Sequence, residues 1–323
     1  MTKARLSIAL DRYDRHMPFF VGQVGNTDGF ELMPLEVGMF PPRRHGVDRH
    51  GRMLRDREFD IAEVSLSSYI IARSQGAPFT AVPVFPRRLF SQTHIFVAER
   101  SALRHPRDLL GKPVVAVAFQ VTMSVLAKGD LRRHYGLDWR DLKWLTLWKE
   151  EISLPGLPIT QLPPGADPVR LLLEGQAAAL IHPHPPHEAL SGRDGIRRLF
   201  IDTQAECEGH FRRCGYLPIM HLLVIKEDVA RRHPALPTQL IEMWNQAKAI
   251  ADDYYHDPGF GLSAFSRLTY EHQKNKLGED LWTSGLNANR ANLTHFMEDM
   301  VDQGLIPHAL PIEELFHPTV RST

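Results

Sequence analysis

Long hydrophobic runs are missing from this 323-residue chain, and so is any excess of one charge. Lysine plus arginine equals aspartate plus glutamate at 38 each, so no broad basic field draws in nucleic acid or an anionic membrane. Any preference for anions must be local. No apolar stretch approaches a membrane span, and the N-terminal ARLSIAL is too short for a signal-peptide core before it meets Asp11. A cytoplasmic protein with no membrane or nucleic-acid partner is therefore expected. Cysteine is scarce as well: only Cys207 and Cys214 are present, which excludes a disulfide framework. They flank His210 in CEGHFRRC, a spacing that suits metal ligands, but a structural zinc site needs a fourth group. Ordinary reduced cysteines are the expectation. Repeats, a glycine-rich nucleotide loop and a Schiff-base lysine setting are also absent, so no organic cofactor is expected.

The chain does have enough apolar residue, 43%, to bury a large core, and its length exceeds what one core usually supports. Two lobes follow. The most informative stretch is FDIAEVSLSSYIIARSQG, residues 59–76. It predicts a short buried strand through Ile61, Ala62 and Val64, then a helix from about Tyr69, with Ser65, Ser67 and Ser68 at the junction. Unpaired backbone N–H groups and the helix dipole make such a junction a seat for a carboxylate or phosphate. The alternative is a serine that only caps the helix. A second junction of the same plan follows the strand Pro113–Ala118, where Gln120 and Thr122 supply the polar side chains.

Other candidates sit where strands end. Asp11 and His16 follow the first strand, at the edge of an open α/β sheet where ligands bind. Arg88, just past FTAVPVFPRR, is able to grip a carboxylate through two parallel hydrogen bonds. The strand AAALI runs into His182, His184 and His187, among prolines that prevent a helical i, i+4 metal pair. These histidines suit substrate binding or proton transfer, with a divalent metal as the alternative. His221 lies inside an apolar run from Ile219 to Ile225 and reads as a core histidine or a pocket residue. The stretch FPPRRHGVDRHGRMLRDRE reads as a loop and short helix carrying mostly solvated charge.

The phrases FDIAEVSLSSYI, AVPVFPRR, HPRDLLGKPVVAV and PIMHLLVIKEDVARRHP, in that order, resemble the type II periplasmic binding-protein superfamily. With GEDLWTSGLNANR at 278–290 and the ending LPIEELFHP, nearly the whole chain looks like the 4,5-dihydroxyphthalate decarboxylase family. The resemblance implies a two-lobed α/β fold with a ligand cleft between the lobes, divided here as 1–93, 94–224 and a return over 225–323. It implies a non-oxidative carboxy-lyase that converts 4,5-dihydroxyphthalate to 3,4-dihydroxybenzoate and CO₂. A small aromatic carboxylate as the binding partner goes with it, and a homo-oligomer is expected because large cytoplasmic enzymes are commonly symmetric assemblies. Where the family pattern carries Arg-His this chain reads Ser91-Gln92, and the 40–52 loop is longer, so substrate identity stays open.

Losing CO₂ from an aryl carboxylate needs anchors, a base and an acid. Ser65, Ser67, Ser68, Arg88, Gln120 and Thr122 are the expected anchors. His184 and His221 are the expected proton-transfer groups, with Glu63, Asp11 and His16 in reserve. Two other classes remain: a cytoplasmic binding or sensor protein, and a lyase acting on another carboxylic acid.

Overall fold

A computed structural model describes residues 3–150, 156–157, 159–191 and 195–323; part of the expected proline-rich loop falls outside these. Two α/β units divide the chain. Unit 1 comprises Met1–Arg88, Ile219–Ala291 and Leu310–Thr323, and unit 2 comprises Leu89–Pro218 and Asn292–Ala309. The expected return over 225–323 is corrected in two places. The chain re-enters unit 1 at Ile219, and residues 292–309 belong to unit 2, where Asn292 donates to Leu217 O and Gln303 donates to Val125 O.

Among the described residues the strands are β1 Ala4–Leu10, β2 Phe30–Glu36, β3 Ile61–Ser65, β4 Phe79–Val82, β5 Ile95–Ala98, β6 Pro113–Ala116, β7 Lys143–Thr146, β8 Ile159–Gln161, β9 Ala179–Ile181, β10 Ile196–Arg198 and β11 His221–Lys226. Unit 1 holds a sheet of order β2-β1-β3-β11-β4, and unit 2 holds one of order β10-β5-β9-β6-β7-β8. In the first, β1 runs parallel to β2 and β3, while β11 is antiparallel to β3 and β4. In the second, β9, β6, β7 and β8 are parallel, and β5 is antiparallel to both of its neighbours, β9 and β10.

The short apolar runs form central strands because both faces are covered. Ile8, Leu10, Ile61, Val82, Leu223 and Ile225 pack with Phe19, Leu240 and Trp244 to make the unit 1 core. Phe96, Val115 and Leu180 pack with Leu172 and Ile196 in unit 2. Fully burying one such side chain stabilises the fold by roughly 1.5–3 kcal/mol, so each sheet is held rigidly enough to fix the polar groups at its strand ends.

The helix after β3 begins at Leu66, not near Tyr69, and runs Leu66–Ser74. Tyr69 is fully buried inside it, and its hydroxyl donates to Leu315 O. That buried anchor lets the helix start directly at the strand end, leaving Ser67 and Ser68 in its first turn.

Candidate active site

The β3–β11 pairing builds the centre of the site. His221 lies opposite Ser65, and Leu223 lies opposite Glu63. In an antiparallel pair, residues two apart share a face, so His221 and Glu63 are diagonal neighbours within reach of long side chains. Their side chains meet: His221 Nδ1 is 2.5 Å from Glu63 Oε1. Both residues are buried. Glu63 Oε2 also accepts from the backbone N–H of Asp11, at 3.2 Å, where β1 ends.

A buried carboxylate needs a counter-charge. Arg49, fully buried, supplies it: Nη2 lies 3.1 Å from Glu63 Oε1 and Nη1 lies 3.5 Å from Asp11 Oδ2. The same guanidinium donates from Nε to Glu63 O at 2.7 Å and from Nη1 to Val37 O at 2.5 Å. Arg43 adds a second contact to Asp11, Nε to Oδ1 at 2.7 Å. The expectation of solvated charge over residues 40–58 is thus wrong for Arg49, and His50 beside it is half-buried with its Nε2 enclosed. The Arg49–Leu54 helix turns Arg49 and Met53 inward together, one helical turn apart.

These contacts set the charge states. Burial pushes the Glu63 carboxyl up, but Arg49 and His221 beside it pull it well below the ordinary glutamate range. Asp11 is likewise lowered; burial opposes the shift, and Arg49 and Arg43 outweigh it. Burial pushes His221 down to about 4, against the pull of Glu63, so its imidazole is neutral at neutral pH. With Nδ1–H donated to an ionised Glu63, the lone pair of His221 lies on Nε2. A histidine held in one tautomer by a carboxylate is equipped to act as a general base. The ring of His50 packs edge-on against it, centroids 4.9 Å apart.

His16 joins this neighbourhood differently. It is fully buried, its Nδ1 lies 2.7 Å from Asp11 O, and its ring packs on Trp244 at 4.8 Å. Burial lowers it to about 4, so its imidazole is neutral at neutral pH.

Ser65 and Ser67 lie at the same strand end, their hydroxyls 3.2 Å apart, and Ser68 follows one residue on. Arg88 is buried, and its Nη2 donates to Thr283 O at 3.0 Å and to Asn289 Oδ1 at 2.5 Å. It ties down the GEDLWTSGLNANR segment. Burial lowers it to about 9.

Gln120, Thr122 and His184 belong to unit 2. At the second junction the backbone N–H groups of Phe119 and Gln120 donate to Glu150 Oε1 and Oε2, at 2.5 and 3.2 Å. This turn therefore binds a carboxylate, one supplied by the chain itself. Lys128 holds the turn in place, donating from Nζ to Phe119 O at 2.8 Å. Burial pushes Lys128 well below the ordinary lysine range, with Glu150 pulling the other way. Thr122 opens the Thr122–Tyr135 helix. His184 is half-buried, and its backbone N–H donates to His182 Nδ1 at 3.0 Å.

Unit 1 also contains a cavity of about 610 Å³ lined by Asp14, Arg15, Lys248, Tyr255, Tyr270 and Trp282 among others, and by none of Asp11, Glu63 or His221.

No family model matches the chain. A 4,5-dihydroxyphthalate decarboxylase of Comamonas testosteroni is 30% identical over 334 residues, covering 98% of each chain. One of the same name from Pseudomonas putida is 30% identical over 230 residues, covering 67% of this chain and 84% of that one. Among solved structures, the periplasmic aliphatic sulphonate binding protein SsuA of Escherichia coli matches over 99% of both chains with a TM-score of 0.61 at 15% identity. The desulfurization enzyme DszB matches over 99% of this chain and 98% of its own with a TM-score of 0.54 at 14% identity. At such identities the likeness concerns the fold alone, a two-lobed type II periplasmic binding-protein-like architecture.

Proposed function

Because this chain belongs to the 4,5-dihydroxyphthalate decarboxylase family and is a carboxy-lyase, we propose that it converts 4,5-dihydroxyphthalate to 3,4-dihydroxybenzoate and CO₂, with His221 as general base. The reading is carried by the Glu63–His221 pair at the carboxyl edge of the unit 1 sheet. His221 Nε2 takes the proton of the ring hydroxyl para to the departing carboxylate, and the resulting phenolate raises electron density at the carbon that bears it. That carbon gains a proton. The C–C bond then breaks, its electron pair returns to the ring as CO₂ leaves, and the phenolate regains the proton held on His221. A single proton from solvent has replaced the CO₂.

Glu63 stabilises the imidazolium formed in the first step, and Arg49 keeps Glu63 ionised before it. The Ser65, Ser67 and Ser68 hydroxyls are the proposed contacts for the carboxylate that remains. The departing one is better left weakly solvated, since tight pairing there would stabilise the ground state.

The test is incubation of the purified protein with 4,5-dihydroxyphthalate, following CO₂ and 3,4-dihydroxybenzoate. Stoichiometric appearance of both supports the reading. A compound that binds and survives unchanged would overturn it.

A further inference from the structure

Away from the groups assigned above, unit 2 gathers four metal-ligating side chains from two helices. Asp130 and His134 lie one turn apart on the Thr122–Tyr135 helix, and His210 and Cys214 lie one turn apart on the Thr203–Cys214 helix. Ligand atoms of His134, His210 and Cys214 all lie within 4.8 Å of one another. Cys214 Sγ is 3.5 Å from His134 Nε2 and 3.9 Å from His210 Nε2. Asp130 Oδ1 is 3.2 Å from His210 Nε2 and 3.7 Å from His134 Nε2. Asp130 and His210 are buried.

The geometry separates a metal site from a catalytic triad. In a triad the histidine links acid and nucleophile through its two opposite nitrogens. Here one nitrogen of each imidazole, Nε2, faces both the thiol and the carboxylate, so His134, His210 and Cys214 turn their donor atoms toward one point, with Asp130 beside the two histidines. Zinc bond lengths of about 2.0–2.1 Å to nitrogen and about 2.3 Å to sulfur put tetrahedral ligands roughly 3.3–3.6 Å apart. The Sγ–Nε2 spacings of 3.5 and 3.9 Å lie close to that range, and all three ligand atoms fall within 4.8 Å of one another. Ser91 Oγ donates to Asp130 Oδ2 at 2.6 Å, orienting the carboxylate as an outer-shell partner does. Both helices end here, each followed by a left-handed glycine, Gly136 and Gly215, so two negative dipole ends point toward the same place.

We propose that His134, His210 and Cys214 form a zinc site, with Asp130 beside both histidines, that clamps these two helices together. Nitrogen and sulfur donors suit Zn²⁺ above Mg²⁺ or Ca²⁺. Cys207, paired with Cys214 by sequence spacing, is outside the cluster, and burial pushes its thiol up to about 12. His134, on the other helix, takes the place that Cys207 leaves in CEGHFRRC.

The test uses the full-length chain without a histidine tag, its metal content measured as purified and again after chelation and titration with zinc chloride or cobalt chloride. Bound zinc of about one per chain and a higher Tm on adding zinc to the stripped protein are expected. Cobalt should give a thiolate charge-transfer band in the native chain and in Cys207→Ala, and none in Cys214→Ala. His210→Ala should lose the metal as well. The proposal is overturned if the native chain retains no metal and shows neither band nor Tm shift. It is equally overturned if Cys214→Ala and His210→Ala hold metal as the native chain does. Should both variants fail to fold, titration of the stripped native chain decides alone.

Discussion

His221 and Glu63, 158 positions apart in sequence, are diagonal neighbours across β3 and β11, with Nδ1 of one 2.5 Å from Oε1 of the other. Removing the base by His221→Ala should lower kcat by about 10²- to 10⁴-fold while leaving KM within a few-fold. Glu63→Gln, which keeps the shape but frees the histidine tautomer, should also act mainly on kcat. Steady-state kinetics on 4,5-dihydroxyphthalate check both, and near-normal turnover in both would dismiss the pair. Since burial holds His221 near 4, the acid limb of kcat/KM should fall well below 6.5.

Arg49 offers a test of stability. Arg49→Met would leave Glu63 and Asp11 buried with their main counter-charge removed, a change that costs about 3–5 kcal/mol. Arg49→Lys, lacking the planar fork that reaches Glu63 O and Val37 O, should recover only part of it. Urea unfolding at pH 7 measures the difference, and an unchanged midpoint for Arg49→Met would contradict the assigned pairing.

Acid sensitivity follows from His16 and His221. Both are held at about 4 in the folded chain against 6.5 for an ordinary histidine. Between those values the unfolded chain binds more protons, so stability rises with pH across the window and falls on acidification from 6.5 toward 4. The full loss is on the order of 3 kcal/mol per histidine. Urea midpoints at pH 7 and pH 5 should differ in that direction, and His16→Asn should flatten the slope.

Arg88 and Asn289 separate an anchor from a brace. Asn289 donates to Thr283 O and Gly285 O and accepts from Arg88, so Asn289→Ala should cost about 1–3 kcal/mol by stranding buried polar groups. If Arg88 acts mainly as a brace, Arg88→Lys should lower Tm with KM little changed. A large rise in KM at constant Tm would return Arg88 to the role of carboxylate anchor.

The strand-to-helix junctions were legible in the sequence because apolar runs that break into Ser-Leu-Ser-Ser or Phe-Gln-Val-Thr have few other readings. Glu63 was legible too, as an acid inside an apolar strand. Arg49 was not: it sits among seven other basic residues in FPPRRHGVDRHGRMLRDRE, and which of them turns inward depends on a helix whose only local clue is Met53 one turn later. Pairing of β11 with β3 was hidden for a different reason. Strand partners far apart in sequence are chosen by the whole sheet, and periodicity in an apolar run such as PIMHLLVIK says nothing about its neighbour.

The placement of β11 between β3 and β4 bears on how the chain is made. Every described strand of the unit 2 sheet lies between Ile95 and Arg198, so during synthesis that sheet has all these members before the first sheet receives its fifth strand. Domains emerging from the ribosome commonly fold N-terminal part first; here the N-terminal sheet must wait for residue 226. A fragment ending at Arg88 would carry β4 with no partner beside it, so expressing unit 1 as that fragment should yield aggregated chain rather than half an enzyme.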